Sequence, residues 1–169
     1  MHYCILAIFD EPKTVDTVEE AVEKLLAPYC NIEWDWYQIG GRWTGLFDGY
    51  DPDKDPNNLV ECEYCGGTGK RTDIEVANGC NACEGTGKRL KWPTGWAVRA
   101  GDILPVDKLT GEHLDVHDVC CEGHGWFDGY RYAPWTEGPA RFVDKELPPL
   151  KWLKKTYPNG VAVVVDCHS

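Results

Sequence analysis

The chain has 169 residues and lacks any apolar run approaching the ~18–20 residues that a helix needs to cross a bilayer. Its N-terminus also lacks a basic region followed by a small-residue cleavage site. Helical membrane spans and secretion are therefore not expected, and a cytoplasmic location is. Cations are scarce too, with 17 Lys and Arg against 28 Asp and Glu and a net charge of −11. Wrapping a nucleic-acid backbone takes the opposite imbalance, so broad non-specific nucleic-acid binding is excluded. The acidity suits solubility or a basic protein partner.

Cysteine and tryptophan, by contrast, are plentiful. Nine Cys in a chain with no export signal fit a reducing compartment, where structural disulfides are rare. Four of them fall in a repeated ten-residue phrase. Cys62-Glu-Tyr-Cys65-Gly-Gly-Thr-Gly-Lys-Arg71 and Cys80-Asn-Ala-Cys83-Glu-Gly-Thr-Gly-Lys-Arg89 agree at seven of ten places. Two Cys-x-x-Cys pairs supply the four thiolates of a closed tetrahedral zinc site, and the glycines let the chain turn back sharply after each pair. Two disulfides or four free thiols are the plainer alternatives. Four sulfurs leave no open coordination position, so the ion is expected to staple the fold and to catalyse nothing.

The Cys-x-x-Cys-x-Gly-x-Gly pattern resembles the cysteine-rich zinc module of DnaJ-type co-chaperones, in two copies where the full module has four. The resemblance makes Cys62, Cys65, Cys80 and Cys83 the ligands. Neither a His-Pro-Asp J-domain signature nor a Gly/Phe-rich linker is present, so only the metal site carries over. Lys70, Arg71, Lys88 and Arg89 put cations on the knuckle tips, as solvated residues or as phosphate contacts, the one route left to direct nucleic-acid binding.

Around this insertion, expected at 59–91, residues 1–58 and 92–169 have enough apolar content for one core. Tyr3 to Phe9 and Val161 to Val165 are short apolar runs that suit buried strands. A helix is expected between Asp16, as cap with Glu19, and Pro28, with Val15, Val18, Val22, Leu25 and Leu26 on one face. Another is expected from Glu146 to Tyr157. The order of elements suggests an α+β fold with two helices and a mostly antiparallel sheet, ferredoxin-like in its specific form, with the first and last strands adjacent.

Two further phrases hold chemistry. In Trp34-Asp35-Trp36-Tyr37-Gln-Ile39-Gly-Gly-Arg42-Trp43, strand alternation puts Trp34 and Trp36 on one side and Asp35 and Tyr37 on the other. Arg42 and Trp43 follow at a tight bend, where an Arg among aromatic rings can stack or grip an anion, or else pair with Asp35. Between His113 and Gly125 lie His113, His117, Cys120, Cys121 and His124, a second candidate metal site or a polar loop. Phe-Asp-Gly-Tyr occurs twice, ending at Tyr50 and at Tyr130, as a hairpin-turn phrase. Asp166, Cys167 and His168 close the last strand. Neighbouring strand residues face opposite ways, so Cys167 as nucleophile would need a partner from elsewhere, such as His124 or Arg42.

The Trp34–Trp43 phrase and the terminal Val-Val-Asp-Cys-His look like phrases of uncharacterised bacteriophage and mobile-element proteins. That resemblance implies a phage origin, action in the host cytoplasm, and no particular activity. Two functions are expected to compete. One is a non-catalytic accessory protein that binds and modulates or inhibits a host factor, such as a nucleic-acid-binding defence complex in the manner of an anti-CRISPR. The other is a small enzyme acting on a nucleotide or phosphorylated metabolite, with Arg42, His124, Cys167 and His168 at one sheet end.

Overall fold

A computed structural model describes residues 1–71, 79–91, 97–129 and 147–169. The chain divides into two compact units, one formed by Met1–Tyr50 with Gly95–Ser169 and the other by Asp51–Thr94.

The first unit is built on β1 (His2–Phe9) and the last strand of the chain, Val161–His168. They pair antiparallel along their whole length, from His2 opposite His168 to Phe9 opposite Val161. Both are continuous apolar runs because both are covered on two faces. Tyr3, Ile5, Ala7 and Phe9 pack with Val18, Val22 and Leu26 of α1 (Val18–Leu26). Cys4, Leu6 and Ile8 pack on the opposite side with Leu153 of α2 (Leu150–Thr156) and with Tyr157.

With the terminal strand as β8, four more strands complete the described sheet, β2 (Trp36–Ile39), β5 (Ile103–Pro105), β6 (Asp118–Cys121) and β7 (Gly125–Asp128), while β3 (Leu59–Glu61) and β4 (Lys88–Leu90) belong to the second unit. The order is β2-β8-β1-β6-β7, with β5 continuing the β2 edge of β8. Every pair is antiparallel except β1 with β6. The fold is thus α+β, with a mostly antiparallel sheet and, among the described residues, two α-helices. The ferredoxin-like expectation needs correction. A split βαβ keeps another strand between its two parallel strands, whereas β6 here lies directly against β1, and the helices cover opposite faces.

Several local expectations shift. The residue capping α1 is Thr17, not Asp16, and Val15 is exposed. α1 does end before Pro28, which enters a following 3-10 turn (Ala27–Tyr29) at an early position where its missing N–H is not needed. The second strand starts at Trp36, so the expected alternation fails: Trp34 packs with Tyr37 on the α1 side, their rings 5.0 Å apart, and its indole donates to Leu26 O at 3.0 Å. Gly40 and Gly41 do end the strand, at φ of 71° and 52°. The first Phe-Asp-Gly-Tyr joins no strand pair: Asp48 binds Arg99 at 2.6 Å, while Asp128 of the second copy sits within β7 and Tyr130 lies outside the described residues. Of the second helix, Glu146 lies outside the described residues too.

Candidate metal centre and sheet-end histidines

In the second unit the duplicated phrase folds as a duplicated structure. Cys62 N–H donates to Gly87 O at 2.9 Å, and in the other copy Cys80 N–H donates to Gly69 O at 2.7 Å. Within each copy a threonine hydroxyl spans the turn, Thr68 to Cys65 O and Lys70 O, Thr86 to Cys83 O and Lys88 O. β3 and β4 pair antiparallel and bring the copies together. Gly69 and Gly87 have φ near 75° (73° and 76°), and a Cβ on either would collide with a carbonyl of the opposite copy. The glycines therefore serve close approach as well as turning.

The four sulfurs come together as a result. The side-chain ligand atoms of Cys62, Cys65, Cys80 and Cys83 all lie within 4.8 Å of one another, and none is in a disulfide. Cys62 and Cys80 sulfurs are 3.9 Å apart and those of Cys65 and Cys83 are 3.8 Å apart. Sulfurs at about 2.3 Å from a tetrahedral ion would stand about 3.8 Å from each other, which the Cys62–Cys80 and Cys65–Cys83 spacings match. Gly87 N–H donates to Cys83 Sγ at 3.2 Å. Burial opposes ionisation of Cys83, but that bond and the neighbouring thiols outweigh it and bring the thiol down to about 7. The buried residues here are three of the clustered cysteines, Cys62, Cys80 and Cys83, with Cys65 and Ala82 against them.

The basic tips are partly spoken for. Arg71 and Arg89 both stack on the Tyr64 ring, at 5.4 and 5.1 Å, and Arg89 also pairs with Glu63 at 3.1 Å. Lys70 and Lys88 are exposed.

The second expected metal site does not form. His113 accepts from Thr110 N–H in a 3-10 turn, His117 stacks on Tyr3, and His124 is exposed against Trp152. Cys120 and Cys121 are successive residues of β6 and point into opposite core clusters. Among the described residues, the four thiols are the one group of three or more that could hold an ion.

The residues proposed for catalysis do not gather either. His124 is in the β6–β7 turn, and Cys121 at the base of that turn registers with Ile8. His168 registers with His2 at the other end of β1, about 20 Å away at strand rise. Cys167 is fully buried, and that burial, reinforced by Asp166, pushes its thiol far above the ordinary value, the reverse of an activated nucleophile. Arg42 is exposed, and Asp35 pairs with His168 instead of with it. Trp43 packs on the α2-side cluster, while Trp36 is 40% exposed.

One arrangement escaped the sequence reading. His2 Nδ1 donates to Asp166 Oδ1 at 2.8 Å, and His168 Nδ1 donates to Asp35 Oδ1 at 2.7 Å. The two imidazoles meet edge to face with centroids 5.0 Å apart, and the Trp36 ring is 5.7 Å from His2. His168's hydrogen bond holds the Asp35 carboxyl below its ordinary range. Asp166 is 2% exposed and also accepts from Arg42 N–H at 3.1 Å.

No family model matches the chain, and neither curated proteins nor solved structures give a significant match. No helix among the described residues is long and apolar enough to cross a membrane.

Proposed function

We propose that the chain is a zinc-stapled accessory protein of phage type that acts by binding a host protein. The class of partner is a basic, nucleic-acid-binding complex such as those of host defence, inhibited in the manner of an anti-CRISPR. The observation that carries this reading is the dispersal of the candidate catalytic groups, with His124 and His168 at opposite sheet ends and Cys167 sealed in the core. A four-sulfur cluster of tetrahedral dimensions supports zinc in a closed, structural role, with a DnaJ-like knuckle as its framework. Net charge supports a basic partner, and α1 concentrates it: Glu19, Glu20 and Glu23 are all exposed on the helix, with Asp16 before it.

The test is affinity capture from host lysate with the intact protein and with a Glu19→Lys, Glu20→Lys, Glu23→Lys variant, followed by reconstitution with the purified captured protein. Expected is a stoichiometric nucleic-acid-binding protein whose affinity falls as salt rises, which nucleic acid displaces, and which the variant fails to hold. Capture indifferent to charge and salt, or conversion of a nucleotide with no protein captured, overturns the reading.

A further inference from the structure

We propose that His2 and His168 form a second metal site, for a late first-row divalent cation such as nickel or zinc, at the open end of the β1–β8 ladder. This goes beyond the binding role proposed above and does not depend on it.

Directly opposed residues of an antiparallel pair project from the same face with their Cβ atoms about 5 Å apart. His2 and His168 hold that relation, and their rings lie 5.0 Å apart. Each ring turns its Nδ1 to a carboxylate, His2 to Asp166 and His168 to Asp35. In the neutral imidazole that contact takes the Nδ1 proton and leaves the Nε2 lone pair for a ligand. An imidazole oriented by a carboxylate on its far nitrogen is the arrangement that metal-binding histidines use.

The surroundings select a cation. Two carboxylates support the two imidazoles, and among the described residues no Lys or Arg side chain is paired with either carboxylate; the nearby cation is the N-terminal ammonium, which bonds Ser169 O and also bears on Asp35. An anion placed there would meet Asp35 and Asp166, whereas a divalent ion would be drawn by both. Nitrogen donors favour the late first-row metals over magnesium or calcium. One half of the site is rigid: the Asp166 carboxylate is buried, takes Arg42 N–H on its other oxygen, and lies so close to Gly41 that a Cβ there would press on it. With two protein nitrogens the ion would keep water in its other positions, unlike an ion within four sulfurs.

The test uses the untagged, zinc-loaded chain, titrated with nickel by calorimetry and by amide NMR. Expected is one equivalent of nickel bound while the original zinc is retained, with paramagnetic broadening of the Trp36 indole N–H, the neighbour of His2. His2→Ala and His168→Ala should each abolish that equivalent, and Asp35→Asn should weaken it ~10–100-fold, the usual effect of losing the carboxylate behind a histidine. Zinc content and amide dispersion equal to the parent show that each variant is folded. The proposal falls if no second equivalent binds, if binding survives the His2→Ala, His168→Ala double variant, or if broadening centres on the cysteine cluster. In those cases the two Asp–His pairs only tie down strand ends.

Discussion

Replacing Cys80 by Ala tests whether the second unit stands on its metal. The side chain is wholly buried and its sulfur is 3.9 Å from that of Cys62, while its backbone bonds to Gly69, Cys83 and Gly85 survive the substitution. Structural zinc in comparable sites contributes about 10–16 kcal/mol of apparent binding energy. Shared over four sulfurs, one ligand is worth about 3–4 kcal/mol, a 10²–10³-fold loss of affinity. Among the described residues little else can make up that loss, since the buried cluster consists of Cys62, Cys80 and Cys83 with Cys65 and Ala82 beside it. Burying side chains that small yields only a few kcal/mol, at ~0.8 kcal/mol per methylene. Competition with a chromophoric chelator reads the affinity, and amide NMR reads the fold. In metal-free protein, signals from Cys62 to Gly69 and from Cys80 to Gly87 should collapse to unfolded positions while those of β1 and β8, which have their own core, stay dispersed. Retention of zinc within tenfold by the variant, or dispersed knuckle signals in metal-free parent, would refute the reasoning.

Three further outcomes are expected of the first unit, each measured by denaturant unfolding of zinc-loaded protein. Gly41→Ala should cost at least ~2 kcal/mol more than Gly49→Ala, because both have positive φ but only at Gly41 would the new Cβ meet Asp166, 2.7 Å from its Oδ2; equal costs would count against the packing described for Asp166. Asp102→Asn should cost ~2–3 kcal/mol, because this fully buried carboxylate accepts from Thr44 Oγ1 at 2.7 Å and Arg99 N–H at 2.9 Å and an amide can serve only one of them through oxygen; a neutral result would mean water relieves the mismatch. Burial raises the Cys120 and Cys121 thiols from 9.0 to about 12, so above pH 9 the unfolded chain gives up protons that the folded chain keeps. Stability should therefore fall as pH climbs from 9 towards 12, and Cys120→Ala should flatten the slope; an unchanged slope would place the alkaline sensitivity elsewhere.

How much of this was legible beforehand follows from how local each signal is. The gathering of Cys62, Cys65, Cys80 and Cys83 was legible because the cysteines and glycines recur at fixed spacing, and a twofold repeat in sequence became a twofold repeat of hydrogen bonds. β1 and β8 were legible from unbroken apolar runs, and α1 from its 3.6-residue stripe. Layering was not, since an apolar run says that both faces are covered without saying by what. The strand at Trp34 was misread for a similar reason: alternation describes a strand once it has begun, and a turn of chain through Asn31, at φ 59°, delays the start to Trp36.

The histidine pair shows where local reading stops. His168 sits at a strand end beside a cysteine and invites a nucleophile argument confined to its own neighbours, while His2 follows the first residue and has no motif around it. What joins them is register. Once the first and last strands are taken as antiparallel neighbours of equal length, residue 2 must stand opposite residue 168, and a residue two before His168 must fall on the same face. That residue is Asp166, which turns back to the opposite strand and takes His2, leaving His168 to find Asp35 from the chain entering β2. A one-residue slip of β8 against β1 would carry His168 and Asp166 to the other face, towards α1, and leave His2 without its carboxylate. The two Asp–His pairs thus enforce the register that creates them, and whether they also hold an ion depends on two ring nitrogens that the folded ladder places side by side.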